Sequence, residues 1–193
     1  MRLADLEHAA DFELPAQFIL NRVQRRRTRK GTVSIGALRL PPRGLLHARF
    51  DLADDEVGYF AEAGETAIYE TLARREASML TMPNVEARAL LTFLTTVPLQ
   101  LIDLRFHANA WPVLQSLRYP ATQQLAQEIR DQRYAGIAYR SAQQHGADCF
   151  AIFGRAMATL RLKSRAPLVH SVTGALHRAA ADAIRGSQIP LAP

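Results

Sequence analysis

The chain has 193 residues, with 24 Lys and Arg against 18 Asp and Glu and a formal net charge of +6. At 48% hydrophobic and 22% charged residues it can bury a core, which excludes a disordered polyelectrolyte. One cysteine, Cys149, excludes a disulfide framework and a cysteine-built zinc site.

The charge is uneven. From Leu14 to Phe50 there is no acid, but there are nine cations: Arg22, Arg25, Arg26, Arg27, Arg29, Lys30, Arg39, Arg43 and Arg49. The rest of the chain carries 15 cations against 18 acids, so a mildly acidic body bears one strongly basic segment. Arginine supplies 22 of the 24 cations, and its planar fork suits phosphate and carboxylate partners. Met1 to Glu13 lacks the apolar core of an export signal. The most apolar stretch, Ala89–Leu104, is broken by three threonines, Pro98, Gln100 and Asp103. The expectation is a soluble cytoplasmic protein that does not enter a membrane.

In chain order, Phe18–Val23 reads as a short strand and Thr32–Ile35 as a half-buried one. Pro41, Pro42 and Gly44 break the chain before Leu45–Phe50, which reads as extended, and a strand follows at Val57–Ala61. Gly64 opens a helix predicted to reach Met79, with Ile68 and Leu72 on its inner face. A second helix is predicted over Val85–Thr95, then a strand at Leu99–Leu104. Thr122–Arg133 is an amphipathic helix with Leu125 and Ile129 inward and Gly136 as its stop. Strands follow at Ile137–Tyr139, Cys149–Phe153 and Ala158–Leu162, and a last helix at Val172–Ile184 ends at Gly186. Strands and helices mix without a βαβ rhythm, so the fold class is α+β, in one domain spanning 1–193.

Much familiar chemistry is missing. There is no Gly-rich dinucleotide loop, no phosphate-binding Walker loop and no His-Glu-x-x-His, and the six histidines lack metal-ligand spacing. Ser141 has no nucleophile elbow, and Cys149 sits in an apolar strand that suits an inert thiol.

Three places stand out instead: Asn21-Arg22 closing an apolar strand, Tyr59 to Thr71 running from strand through a tight turn into a helix, and Gly136 to Ala142 ending a strand in a serine. With Ala48-Arg49-Phe50-Asp51, Thr122-Gln123, Gly146 and Cys149–Phe153, these segments resemble the RES-domain family in order and spacing, over about Phe18 to Phe153. The C-terminal strand and helix, about 157–185, lie beyond that motif-bearing core.

The resemblance implies an ADP-ribosyltransferase-like fold, a split central β-sheet with flanking helices and a cleft for NAD⁺ as substrate. It implies the toxin of a type II toxin–antitoxin system, paired with an Xre-family helix-turn-helix antitoxin in a hetero-oligomer. Its reaction would cleave the nicotinamide–ribose bond of NAD⁺ as a glycohydrolase or phosphorylase, or transfer ADP-ribose to a protein. By position, Glu70 corresponds to the family's catalytic Glu, Arg22 and Arg49 to its arginines, Tyr59 to its pocket tyrosine and Ser141 to its serine. The implied catalytic set is Glu70, Arg22 and Ser141, and the NAD⁺-binding set Arg22, Arg49, Tyr59 and Ser141, with no metal. Arg140 stands where many members have proline.

The chemistry suits those residue types. Cleavage of the bond develops positive charge on the ribose, which a carboxylate stabilises. Arginines grip a pyrophosphate through forked hydrogen bonds. An aromatic face suits nicotinamide, and a hydroxyl its amide or the ribose. The competing reading takes Arg25 to Lys30 as a nucleic-acid-binding run, but it lacks interleaved aromatics and any accompanying recognition motif.

Overall fold

The computed structural model describes residues 1–7 and 9–193; His8, one of the six histidines, lies outside them. The strands are β1 (Ala10–Leu14), β2 (Ile19–Arg25), β3 (Val33–Ile35), β4 (Leu38–Leu40), β5 (Val57–Ala61), β6 (Leu80–Thr81), β7 (Arg88–Thr95), β8 (Leu99–Asp103), β9 (Gly136–Arg140), β10 (Asp148–Phe153), β11 (Leu160–Pro167) and β12 (Leu191–Ala192). The α-helices are α1 (Gly64–Thr71), α2 (Met82–Glu86), α3 (Tyr119–Asp131) and α4 (Arg178–Ser187). Eight strands form one sheet in the order β1-β8-β9-β10-β5-β2-β7-β11, with β8 and β9 parallel and the other pairs antiparallel.

Period-two alternation divides the core into two layers. From β10, Cys149, Ala151 and Phe153 join one layer, while Phe150 and Ile152 join the other. The first layer takes the inner faces of three helices: Ala67 and Ile68 of α1, Leu125, Ala126 and Ile129 of α3, and Ala179, Ala180 and Ala183 of α4. The second is closed by Leu38 and Leu40 of the β3–β4 hairpin and by Met157. At about 25 cal/mol per Å² of apolar surface, each fully buried Leu, Ile or Phe contributes on the order of 2 kcal/mol.

Several expected elements differ, each for a local reason. The predicted helix over Val85–Thr95 is instead α2, ending at Glu86, and β7. β7 lies inside the sheet between β2 and β11, and Leu90 enters one core layer while Ala89, Leu91 and Phe93 enter the other. A strand buried on both faces reads as a continuous apolar run, which resembles a buried helix. α1 stops at Thr71 rather than Met79 because Leu72 leaves helical geometry and Ala73 N–H closes back on the Ile68 carbonyl at 3.1 Å.

Gly136 does not end α3. The left-handed residue is Arg133 (φ 71°), and Gly136 opens β9, where a Cβ would lie 2.1 Å from the Ala151 carbonyl oxygen. The last helix begins at Arg178, where the His177 Nδ1 accepts from Ala179 N–H at 3.2 Å, and it ends through Gln188 (φ 56°), beyond Gly186. Leu45–Phe50 is irregular rather than a strand. In place of a strand from Ala158, a 3₁₀ segment at Gly154–Thr159 leads into β11.

Candidate active site

The sheet is weakest at one seam. β2 makes seven register pairs with β7, from Ile19↔Leu94 to Arg25↔Arg88, and β5 makes five with β10. Between β2 and β5 only Asn21↔Ala61 is paired. Where the strands part, carbonyls of the β5 segment lose their ladder donors, and buried backbone groups need replacements. Side chains of β2 supply them: Asn21 Nδ2 donates to the Glu62 carbonyl at 2.8 Å and Arg22 Nη1 to the Tyr59 carbonyl at 2.8 Å. Thr92 Oγ1 donates to Asn21 Oδ1 at 3.1 Å, holding that amide in place.

A cavity of about 310 Å³ opens at this seam, walled by Arg22, Arg49, Tyr59, Glu70, Tyr119 and Tyr139 among others. The Arg22 guanidinium lies 6.0 Å from the Phe60 ring centroid. Among the described residues no carboxylate forms an ion pair with it, and its Nε is shut from solvent without a hydrogen-bond partner. Burial pulls its pKa down to about 10, so it remains charged at neutral pH.

Arg49 is more enclosed, at 8% exposure, and its Nε and Nη1 also lack partners. Its guanidinium sits against Tyr139 and Phe50, 5.4 and 5.9 Å from the ring centroids. Five contacts fix the loop that carries it. The Tyr59 hydroxyl accepts from Phe50 N–H and donates to Asp51 Oδ1, each at 2.9 Å. Thr122 Oγ1 donates to the Arg49 carbonyl at 2.5 Å, and Gln123 Nε2 to the Leu46 and Ala48 carbonyls at 2.8 and 2.9 Å. Burial first, then Asp51, pushes the Tyr59 phenol well above its usual pKa, keeping it a donor. Its ring faces the cavity wall while its hydroxyl anchors the loop.

Glu70 lies in the last turn of α1. Its Oε1 accepts from Ser141 Oγ at 2.5 Å and from the backbone N–H of Ala142 and Gln143 at 3.0 and 3.4 Å. Among the described residues Oε2 receives no protein donor, so one oxygen is held and the other is free. Ser141 is 1% exposed, and its Oγ accepts from Gln143 and Gln144 N–H at 3.1 and 2.9 Å. Those two donors turn its proton toward Glu70. Ser141 thus stands behind the carboxylate rather than on the cavity wall. Arg140 continues β9 and bonds through Nη1 to the Gly146 carbonyl at 2.8 Å and to Asp148.

The seam therefore brings Arg22, Arg49, Tyr59 and Glu70 around one cavity, with Ser141 directly behind Glu70. Tyr119 and Tyr139 also line the cavity, and Asp51 accepts from the Tyr59 hydroxyl; the family resemblance gives none of the three a role. Asp51 and Tyr139 lay inside the recognised segments, and Tyr119 three residues before Thr122. Chemically, the site offers two guanidinium groups without ion pairs among the described residues for an anion, and a partly free carboxylate for developing positive charge. Burial pushes the Cys149 thiol well up, as suits an inert core residue. Among the described residues, no group of three or more His, Cys, Asp or Glu could hold a metal ion, and no helix is long and apolar enough to cross a membrane.

A large sheet parted between β2 and β5, with helices over one layer, makes an α+β protein of ADP-ribosyltransferase-like fold. The fold is similar to the toxin chain in the crystal structure of the M. tuberculosis MbcT–MbcA toxin–antitoxin complex. The TM-score is 0.59 over 81% of this chain and 86% of that one, at 15% identity. A RES domain profile matches residues 19–184, and the chain belongs to the RES-domain family. No curated protein sequence matches it.

Proposed function

We propose that the chain is the toxin of a toxin–antitoxin pair and breaks the nicotinamide–ribose bond of NAD⁺. The observation that carries this reading is Glu70. Ser141 and two backbone N–H groups hold Oε1, while Oε2 stays unclaimed among the described residues beside a cavity that Arg22 and Arg49 also line. Family membership and the toxin–antitoxin complex that contains the similar fold support the same reading.

In this reaction Arg22 and Arg49, which line the cavity and carry no ion pair among the described residues, take the pyrophosphate through their charged guanidinium groups. Tyr59, Tyr119 and Tyr139 give the nicotinamide and ribose apolar faces. As the C1′–N bond lengthens, its electron pair leaves with nicotinamide and positive charge spreads over C1′ and the ring oxygen. Glu70 stabilises that charge at close range, where low dielectric strengthens the attraction. Water or phosphate then adds at C1′ and loses its proton. Ser141 acts through Glu70, fixing the carboxylate's angle. An Xre-type antitoxin that covers the seam restrains the activity in the cytoplasm.

The test is chromatography of NAD⁺ incubated with the purified protein, with and without inorganic phosphate. Nicotinamide with ADP-ribose indicates water as acceptor, and nicotinamide with ADP-ribose 1″-phosphate indicates phosphate. Intact NAD⁺ in both arms overturns the reading.

A further inference from the structure

A second groove, of about 600 Å³, opens off the cavity; Arg22, Val23, His47 and Thr71 line both. Its walls carry Arg25, Arg27, Arg29, Lys30, Arg39 and Arg88, and no acid lines it among the described residues. None of these six cations forms an ion pair there. The cations also crowd one another: burial and then the charges of Arg25 and Arg29 lower the Arg88 pKa. Pro41, Pro42 and Leu45 add an exposed apolar rim, with Leu45 53% exposed.

Size connects groove and cavity. About 310 Å³ is at the lower end of the ~300–1,000 Å³ range of small-molecule sites, too small for a whole dinucleotide. If the nicotinamide half meets Glu70 and the pyrophosphate meets Arg22, the adenosine half must leave the cavity beside Arg22. That exit is the basic groove. Sites that select an unphosphorylated adenosine ribose place an acid on its 2′-hydroxyl, and sites that select a 2′-phosphate place arginine there. This groove has only the second kind of residue.

We infer that the groove is a 2′-phosphate subsite and that the protein cleaves NADP⁺ in preference to NAD⁺, an inference that rests on the proposed dinucleotide reaction. The adenine lies on the rim of Pro41, Pro42 and Leu45, and the 2′-phosphate among Arg25, Arg29 and Arg88. The chemistry balances as for NAD⁺: the C1′–N pair leaves with nicotinamide, water adds its oxygen to C1′, and one proton is released. The products are nicotinamide and ADP-ribose 2′-phosphate.

The experiment has two arms at one fixed ionic strength, on the wild type and an R25A/R29A variant. Among the described residues neither side chain makes a hydrogen bond or ion pair, and the Arg25 carbonyl that Arg39 bonds is kept, so the variant retains the fold. Calorimetry compares adenosine 2′,5′-bisphosphate with adenosine 5′-monophosphate, and steady-state kinetics compares NADP⁺ with NAD⁺. In the wild type the bisphosphate binds, and NADP⁺ is cleaved, about tenfold or more better than its partner compound. In the variant both preferences fall to about threefold or less while kcat/KM for NAD⁺ stays within about threefold. Equal binding of the two nucleotides, or a preference that survives R25A/R29A, overturns the subsite whatever the fate of NAD⁺. A binding preference that the variant abolishes, without nicotinamide release from either dinucleotide, keeps the subsite and overturns the reaction instead.

Discussion

Two groups of enclosed arginines sit on the same sheet and differ in what meets them. At the end of β8, Arg105 donates to both oxygens of Asp103 at 2.8 and 2.6 Å and to Asp148 Oδ2 at 2.7 Å. Arg140 adds a further contact to Asp148, and Phe12 covers the Arg105 guanidinium at 4.3 Å. At the β2–β5 seam, Arg22 and Arg49 have aromatic neighbours but no carboxylate in ion-pair contact among the described residues, and three of their N–H-bearing nitrogens are buried unpartnered. The electrostatic consequences have opposite sign. Hydrogen bonding to Asp103 raises the Arg105 pKa, whereas burial lowers that of Arg22 to about 10. Paired arginines tie strand ends together; unpaired ones keep charge available to something that arrives from outside, and a dinucleotide pyrophosphate is our choice.

Substitutions separate the two groups. The R22A/R49A variant is expected to lose about 100-fold or more in kcat/KM for NAD⁺, because each charged hydrogen bond contributes about 1.5–3 kcal/mol. Stability should fall by about 1–3 kcal/mol, because the Tyr59 carbonyl loses its Arg22 donor although no ion pair is broken; steady-state kinetics and thermal unfolding check both halves. R105A should lose stability alone. Leaving Asp103 enclosed without its cation, and Asp148 with Arg140 alone, costs about 3 kcal/mol by urea unfolding, with NAD⁺ turnover of the folded protein unchanged.

S141A is a smaller perturbation. Glu70 keeps the Ala142 and Gln143 N–H groups but loses its hydroxyl donor, so kcat should fall about tenfold with KM little moved. The smallest expected effect is in acid. The Arg105 hydrogen bonds, outweighing desolvation, hold Asp103 below its ordinary 3.8 in the folded state. Its stabilisation is therefore complete above the unfolded value and is lost as pH falls through the folded one. Acid unfolding followed by circular dichroism should reach its midpoint at lower pH in the wild type than in R105A.

The same comparison explains what the sequence revealed. β2, β5, β8, β9 and β10 were readable because short apolar runs bounded by turn residues carry them. β7 was not, because burial on both faces erases the alternation that marks a strand. The edge strands β1 and β11 give little apolar signal, with Asp11 and Glu13 in one and Arg161, Lys163 and Arg165 in the other. In the site, Arg22 and Arg49 were visible as charge in an acid-free segment, but nothing local distinguished them from Arg25 or Arg27. Glu70 and Ser141 are 71 residues apart, so the family resemblance grouped them while their hydrogen bond was invisible in sequence. The single-pair seam that opens the cavity follows from sheet geometry, which no short motif encodes.

The central claim is that Glu70 at this seam supports cleavage of the nicotinamide–ribose bond. Its most direct test is nicotinamide release from NAD⁺ by the wild type and E70Q, compared at equal concentration after thermal unfolding confirms that both are folded. The account predicts steady release by the wild type and a loss of about 100-fold or more in E70Q. Equal rates from the two folded proteins would contradict it.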